Sequence, residues 1–429
     1  MNPLYNAGIS LYKGAARLAS ISSPKIRKML EGQEATMDRL ADFRRTMAPE
    51  GFDVWFHAAS LGEFEQARPL IEALLAHRPE CRILLSFFSP SGYEVRHNFN
   101  PGVAVVYMPF DSRGAVKAFL DKAEPKMAVF VKYEFWGNYL EELQKRDIPT
   151  YLISAIFRPG QIFFKPWGGT FRAMLRSFRH IYVQNRASQA LLNGIGVDAV
   201  TVAGDTRFDR VTDIRNRAKI IPEMEIFRSA NADKLMLAAG SSWGKDEDVY
   251  FPVLAKHTDV CAVIAPHEFD AARLEHMQSQ LGKDRTMLFS RFARLCEESP
   301  EKARETAARI KYLIVDSFGL LSSLYRYADA AYVGGGFGAG IHNINEAAVY
   351  GIPVAFGPRH QKFNEALCLL ACGGAMCIRR SADFEHWLAR LEKDQAFREL
   401  HGKAAGEYIA SNIGATPLIL KDLFNLTLT

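Results

Sequence analysis

From residue 52 onward, short apolar runs alternate with segments whose apolar residues recur every three or four positions. The runs Val54–Ala59, Arg82–Phe88, Ala104–Met108, Met127–Lys132, Thr150–Ser154 and His180–Val183 have the length and composition of buried strands. Between them, Glu63–His77, Gly114–Lys122 and Asn138–Arg146 carry helical spacing. Apolar strands separated by helices predict a parallel sheet covered on both faces. After Val202 a polar, charge-mixed stretch runs to Lys234 and reads as a domain junction. The pattern then restarts, with strands predicted at Leu235–Ala239, Val260–Ile264, Tyr312–Val315, Ala330–Val333, Pro353–Phe356 and Ala375–Ile378. Helices are predicted at Asp246–Lys256 and Asn343–Tyr350, and a surface excursion or helix at Ser290–Arg309. The expected fold class is α/β, with two Rossmann-like doubly wound domains whose strand C-termini open into a shared cleft. The expected boundaries are 1–50 for an N-terminal segment, 51–210 for one domain, and 211–429 for the other with its terminal helices.

Composition removes whole classes. With 24% charged and 48% hydrophobic residues in 429, the chain is not disordered, collagen-like or a coiled-coil rod. No run approaches the roughly 20 apolar residues of a membrane span. The cysteines form no CxxC pair and have no partners at zinc-like spacing. A disulfide scaffold and a metal site are therefore not expected, and a reducing cytoplasm is.

Charge position says more than the net value of +5. Residues 1–30 carry Lys13, Arg17, Lys25, Arg27 and Lys28 and no acid. With Leu4, Ile9, Leu11, Leu18 and Ile21 they suit a helix lying on a membrane surface, or an ordinary helix packed on the first domain. No acidic residue occurs between Asp147 and Asp198, where Arg158, Lys165, Arg172, Arg176, Arg179 and Arg186 mix with Phe163, Phe164 and Trp167. That mixture fits an anionic surface, or a solvated face over core aromatics. No nucleic-acid motif accompanies it, so nucleic acid is not an expected partner.

Three motifs sit where strands end. Ala59-Ser60-Leu61-Gly62-Glu63 follows the first strand. Gly62 permits close approach by a ligand, and Glu63 stands at a helix start. A carboxylate there can take a proton from an attacking hydroxyl, or simply complement the helix dipole. Lys132-Tyr133-Glu134-Phe135-Trp136 ends the fourth strand; Glu134 can bind a substrate hydroxyl or pair with a nearby cation. The run Gly334-Gly335-Gly336-Phe337-Gly338-Ala339-Gly340 precedes His342-Asn343-Ile344-Asn345-Glu346. It is not a dinucleotide fingerprint, since no register fits GxGxxG. Its backbone amides are expected to be free for an anion, with His342 and Glu346 on one helix face. Gly240-Ser241-Ser242, Pro266-His267-Glu268 and Asp316-Ser317-Phe318-Gly319 also lie at strand C-terminal ends.

Together these segments resemble the 3-deoxy-D-manno-octulosonic acid (Kdo) transferases. The resemblance rests on Ser60-Leu61-Gly62-Glu63, Ser89-Pro90-Ser91-Gly92, Glu134-Phe135-Trp136, Gly204-Asp205-Thr206-Arg207-Phe208-Asp209, Asp316-Ser317-Phe318-Gly319, His342-Asn343-Ile344-Asn345-Glu346 and Gly357-Pro358 with Phe363. It implies the GT-B fold and an inverting, metal-independent transfer of Kdo from CMP-Kdo to a lipid A precursor, with no cofactor. It implies residues 51–210 as the acceptor domain and 211–429 as the CMP-sugar domain. Glu63 is then the general base, with Glu134 and Arg207 stabilising the transition state. Pro266, His267, Ser317, Phe318, Gly319, Asn343, Ile344, Asn345 and Glu346 match CMP-contacting segments. Ser60, Gly62, Arg158, Arg172, Arg176 and Arg179 are assigned to the acceptor or to the anionic inner-membrane surface. The enzyme would rest peripherally on the cytoplasmic face of the inner membrane.

The chain departs from the family pattern at Lys132, at Gly137, at Arg207 in place of Lys, at Gly340-Ile341, and in Ala265-Pro266-His267-Glu268-Phe269-Asp270, which lacks the usual arginines. A transferase using another nucleotide sugar on a lipid acceptor, and a non-catalytic membrane-associated binding protein, remain the alternatives.

Overall fold

The computed structural model describes residues 1 and 3–427. The chain forms two compact units, Met1–Asp209 together with the segment from Ile413 onward, and Arg210–Asn412.

The first unit is built on β1 (Val54–Ala58), β2 (Ile83–Phe87), β3 (Val103–Tyr107), β4 (Ala128–Val131), β5 (Thr150–Ala155), β6 (His180–Val183) and β7 (Val200–Val202). They form a seven-stranded sheet in the order β3-β2-β1-β4-β5-β6-β7, with every pairing parallel. Both faces are covered. Trp55, Leu84, Ala104 and Phe130 point into one core, and their neighbours Phe56, Leu85, Val105 and Val129 into the other. That two-sided burial is why these strands read as unbroken apolar runs.

The termini join this unit through apolar burial rather than sequence adjacency. The last helix, Ala415–Phe424, inserts Ile419, Leu420 and Phe424 among Leu74, Leu70 and Ile83. The Asp209 carboxylate accepts from the amides of Gly414 and Thr416 at 2.6 and 2.7 Å and satisfies the start of that helix. Sequence reasoning assigned this helix to the second domain. At the other end, Tyr5 of helix Pro3–Ala19 donates to Asp111 at 2.5 Å. Asp111 also accepts from the amides of Asn138 and Tyr139, and burial pushes its carboxyl up to about 6.

The second unit carries β8 (Leu235–Ser242), β9 (Val260–Pro266), β10 (Thr286–Leu288), β11 (Tyr312–Ile314), β12 (Ala330–Val333), β13 (Val354–Phe356) and β14 (Ala375–Cys377). Their order is β10-β11-β9-β8-β12-β13-β14, again all parallel. The expected junction before Lys234 instead contains helices Thr206–Asn216 and Pro222–Ala230, the latter burying Met224 and Phe227. The charged stretch after Leu288 forms two helices, Phe289–Glu298 and Pro300–Arg309. Both sheets reverse direction beside their first strand, between β1 and β4 and between β8 and β12. Ligands of such sheets bind beyond the strand C-termini at these switch points.

Candidate active site

Glu63 and Glu134 follow the two strands that flank the first switch point. Ser60 ends the turn after β1 in extended conformation, and helix Leu61–His77 begins next. Glu63 is half-buried in its first turn, and its carboxylate accepts from the Ser60 hydroxyl. A side chain at exposed Gly62 would meet only Ser60 Oγ, at 3.8 Å, so the fold itself does not demand glycine there. Glu134 is buried after β4; its Oε2 accepts from Trp136 Nε1 at 2.6 Å and lies 3.2 Å from His57 Nε2. His57 Nδ1 in turn lies 2.8 Å from Ser86 Oγ, which accepts from Trp55 Nε1 at 2.7 Å. Sequence reasoning missed His57, Ser86 and Trp55. The available signal was one histidine in the otherwise apolar strand Val54–Ala58 and one serine in Ile83–Phe87.

Lys132 leaves β4 with φ of 63°, a left-handed conformation that is strained for a residue with a Cβ. Burial raises the Tyr133 hydroxyl, opposed by the charges of Arg158 and Arg207 and reinforced by those of Glu63 and Asp205. These four charged groups therefore surround one tyrosine. Arg207 Nη2 pairs with the buried Asp205 at 2.8 Å, and Gln66 Nε2 donates to the same carboxylate at 2.9 Å.

In the second unit the glycine run has a tighter role than expected. Gly335 N–H donates to Asp246 Oδ2 at 2.9 Å, and Tyr332 OH to Asp246 Oδ1 at the same distance. The amides of Gly334, Gly338, Gly340 and His342 bond to carbonyls of the chain. Those amides are thus internal, not free for an anion. The glycines are needed for close packing: a Cβ on Gly334 would lie 2.3 Å from the Ser241 carbonyl, and one on Gly336 2.5 Å from Gly357 Cα. A Cβ on Gly340 would approach the Phe363 ring at 3.1 Å, so the Gly357-Pro358 and Phe363 segments pack directly on this loop. The predicted helix at Asn343–Tyr350 shortens to Asn345–Ala348, and His342 lies outside it. His342 and Glu346 consequently do not share a helix face.

His342 joins a ring cluster. Trp243 Nε1 donates to its Nε2 at 3.0 Å, and His267 stacks on it with centroids 4.3 Å apart. Trp243 also stacks on His267, at 4.6 Å. Burial, then the nearby His267, lowers His342 to about 4, so the ring is neutral at pH 7 and carries its proton on Nδ1. Trp243 was also missed by sequence reasoning. Pro266 is buried at the end of β9. Ser317, Phe318 and Gly319 form an exposed loop after β11, with Phe318 stacked on Phe269 at 4.8 Å. Asn343 Nδ2 donates to Glu346 at 3.0 Å. Ile344 and Asn345 are fully buried, and both polar side-chain atoms of Asn345 lack a hydrogen-bond partner among the described residues. Ser242, by contrast, is consumed internally by Glu247 and Tyr250.

Of the basic-aromatic segment, Arg158, Arg176 and Arg179 are exposed. Arg172 is half-buried, its guanidinium donating to the carbonyls of Phe163, Lys165 and Pro166. Phe163 is a core residue and Phe164 half-buried, whereas Trp167 is 73% exposed. Arg172, in helix Gly169–Arg176, thus holds backbone, and only one of the three aromatics is presented outward. No helix among the described residues is long and apolar enough to cross a membrane. No group of three or more His, Cys, Asp or Glu side chains there could hold a metal ion.

Residues 15–210 match the family described as 3-deoxy-D-manno-octulosonic-acid transferase (kdotransferase). A 3-deoxy-D-manno-octulosonic acid transferase of Bordetella pertussis is 27% identical over 395 residues, covering 87% of each chain. One of Haemophilus influenzae is 25% identical over 418 residues, covering 94% of this chain and 92% of its own. Among solved structures, UDP-GlcNAc 2-epimerase from Neisseria meningitidis bound to UDP-GlcNAc superimposes with a TM-score of 0.58 at 14% identity, over 87% of this chain and all of that one. With two parallel, helix-covered sheets and carboxylates at a switch point, the chain is a GT-B-fold enzyme of the glycosyltransferase class, related to the Kdo transferase family.

Proposed function

We propose that the enzyme transfers Kdo from CMP-Kdo to a lipid A precursor, by a metal-independent displacement that inverts the anomeric carbon. The observation that carries this reading is the pair Glu63 and Glu134 at the ends of the adjacent strands β1 and β4. Glu63 removes the proton from the acceptor hydroxyl as its oxygen attacks. The bond from the anomeric carbon to the CMP phosphate breaks, and CMP leaves with the electron pair. Glu134 steadies the positive charge that develops at the anomeric carbon, and Arg207 the negative charge of the sugar acid's carboxylate.

The donor belongs to the second unit, at Pro266, His267, the Ser317–Gly319 loop and Asn343–Glu346. Two facts support that assignment. His342 is neutral and tautomerically fixed, so it offers a donor rather than a repelling or variable charge. The unsatisfied Asn345 amide is costly to bury, on the order of 1–3 kcal/mol, and such groups belong to sites that complete them.

The acceptor is amphiphilic and anionic, and the first unit suits such a partner. Leu4, Leu11 and Leu18 recur at heptad spacing on helix Pro3–Ala19 and are 83%, 76% and 72% exposed. Exposed Arg17, Lys25, Arg27 and Lys28 lie nearby in sequence. This arrangement supports peripheral seating on the cytoplasmic face of an anionic inner membrane, with Arg158, Arg176 and Arg179 available to phosphates.

The test is transfer of Kdo from fresh CMP-Kdo to a lipid A precursor by wild type and Glu63→Ala, with CMP binding measured calorimetrically on both. Product from wild type alone, with CMP binding retained in the variant, is expected. Product from both would remove Glu63 as base. CMP binding without product would point to another CMP-sugar or acceptor. Binding of UDP in preference to CMP would overturn the donor assignment.

A further inference from the structure

We infer that His57 is a positioning residue that fixes the Glu134 carboxylate through a buried hydrogen-bond chain. The inference rests on the transferase reading above, and it adds a residue that reading does not use.

His57 lies in the middle of the sheet, beside Ser86 of β2 in register and beside Phe130 of β4. Its side chain is fully buried, where an apolar residue would pack at no polar cost. The direction of each hydrogen bond follows from the groups themselves. An indole N–H can only donate, so Trp55 Nε1 occupies a lone pair of Ser86 Oγ. The Ser86 hydroxyl proton then points to His57 Nδ1, 2.8 Å away. With Nδ1 accepting, the neutral ring carries its proton on Nε2 and donates it to Glu134 Oε2 at 3.2 Å. In a charged ring Nε2 still carries a proton, so the donation to Glu134 survives either state.

Trp136 Nε1 donates to the same oxygen at 2.6 Å. Two donors held by packed rings converge on Oε2. The carboxylate plane is thereby fixed, and Oε1, which accepts from neither, is left for a ligand. The rings cannot drift: His57 packs edge-on to Phe130 at 5.5 Å and to Trp136 at 6.4 Å, and Trp136 lies against Phe88 at 4.8 Å. The chain Trp55–Ser86–His57–Glu134–Trp136 starts inside the core and ends at the switch point. A carboxylate misplaced by about 1 Å costs up to about 100-fold in rate.

Two near-isosteric variants separate positioning from packing. The amide nitrogen of His57→Gln falls near the place of Nε2 and keeps the donor to Glu134. The shorter amide of His57→Asn reaches only the place of Nδ1, where its oxygen can accept from Ser86, and offers no donor to Glu134. With CMP-Kdo and lipid A precursor, His57→Asn is expected to lose about 10- to 100-fold in kcat with the KM for CMP-Kdo unchanged. His57→Gln is expected to recover most of that loss. Indole resonances in 15N-labelled protein give a readout that needs no substrate. The Trp136 Nε1–H signal, assigned with Trp136→Phe, should shift in His57→Asn and stay near its wild-type position in His57→Gln. Equal losses in both variants, wild-type kcat in both, or an unmoved Trp136 signal in His57→Asn would overturn the inference. If wild type transfers no Kdo, the transferase reading fails, and the Trp136 signal alone decides whether His57 positions Glu134.

Discussion

Arg207 closes on Asp205 across a single intervening residue, with Nη2 at 2.8 Å from Oδ2 and Nε at 3.2 and 3.1 Å from the two carboxylate oxygens. Burial alone would raise the Asp205 carboxyl, but the Arg207 charge and hydrogen bonds outweigh it and hold the group below the ordinary carboxylate value. A carboxyl lowered in the folded state contributes stability above its unfolded pKa of about 3.9 and loses it as pH falls through the folded value. Arg207→Ala leaves the buried carboxylate without its guanidinium, held only by the Gln66 amide and the residue-207 N–H, and is expected to cost about 3 kcal/mol at pH 7. The gap from wild type should narrow at pH 3, where the variant's Asp205 is protonated. Urea unfolding at the two pH values checks this; equal gaps would contradict it.

His342 gives the second unit a pH dependence of its own. Burial first, and His267 second, bring its pKa to about 4, whereas the unfolded ring titrates near 6.5. Between those values the unfolded chain binds the extra proton, so stability rises with pH. The contribution is complete above about 6.5 and lost as pH falls toward 4. His342→Gln should flatten that part of the profile relative to wild type, measured by thermal unfolding between pH 4.5 and 7. Parallel profiles would show that His342 does not titrate as described.

The alternation of strands and helices was legible because both faces of each sheet are buried, so strands such as Val54–Ala58 stand out as apolar blocks. β7 and β10 each place a threonine among only three residues and make no such block. Helix Thr206–Asn216 was hidden by its charge density, since only Thr206, Phe208 and Val211 of its residues are buried. The last helix could not be assigned to the first unit, because its partner Leu74 lies far away in sequence. At the site, Glu63 and Glu134 were visible as acids at strand ends. Their supports were not, since His57, Ser86 and Trp243 acquire meaning only through contacts between strands. The glycine run misled for a related reason: sequence marks a need for close approach, but not whether ligand or backbone approaches. Here it is backbone.

That distinction predicts different outcomes for neighbouring glycines. A Cβ at Gly336 would fall within 2.5–2.8 Å of Gly357 backbone, which cannot yield without separating the loops after β12 and β13. At Gly338 the nearest atom is Gly335 O at 3.4 Å, an ordinary contact. Gly336→Ala is expected to destabilise the second unit by more than about 2 kcal/mol, and Gly338→Ala by less than about 1 kcal/mol. Denaturant midpoints compare them directly. If the Gly338 variant were the weaker, the loop would be held by something other than the Gly336–Gly357 contact.

The exposed leucines of the first helix carry the last prediction. Tyr12 and Ala16 lie toward the protein, Tyr12 against Phe88 and Phe110 at 6.4 and 5.6 Å, while Leu4, Leu11 and Leu18 face outward. Serine at the three outward positions removes no core contact, so folding should be unaffected. Each leucine buried in lipid contributes roughly 1.5–3 kcal/mol, so the triple variant should lose most binding to vesicles containing anionic lipid. Salt should weaken wild-type binding as well, because Lys25, Arg27 and Lys28 contribute electrostatically over about a Debye length. Cosedimentation with anionic and neutral vesicles separates the two contributions. Loss of activity on a lipid acceptor without loss of vesicle binding would place the helix at the acceptor rather than at the membrane. Unchanged vesicle binding together with unchanged activity would show that neither partner uses this face.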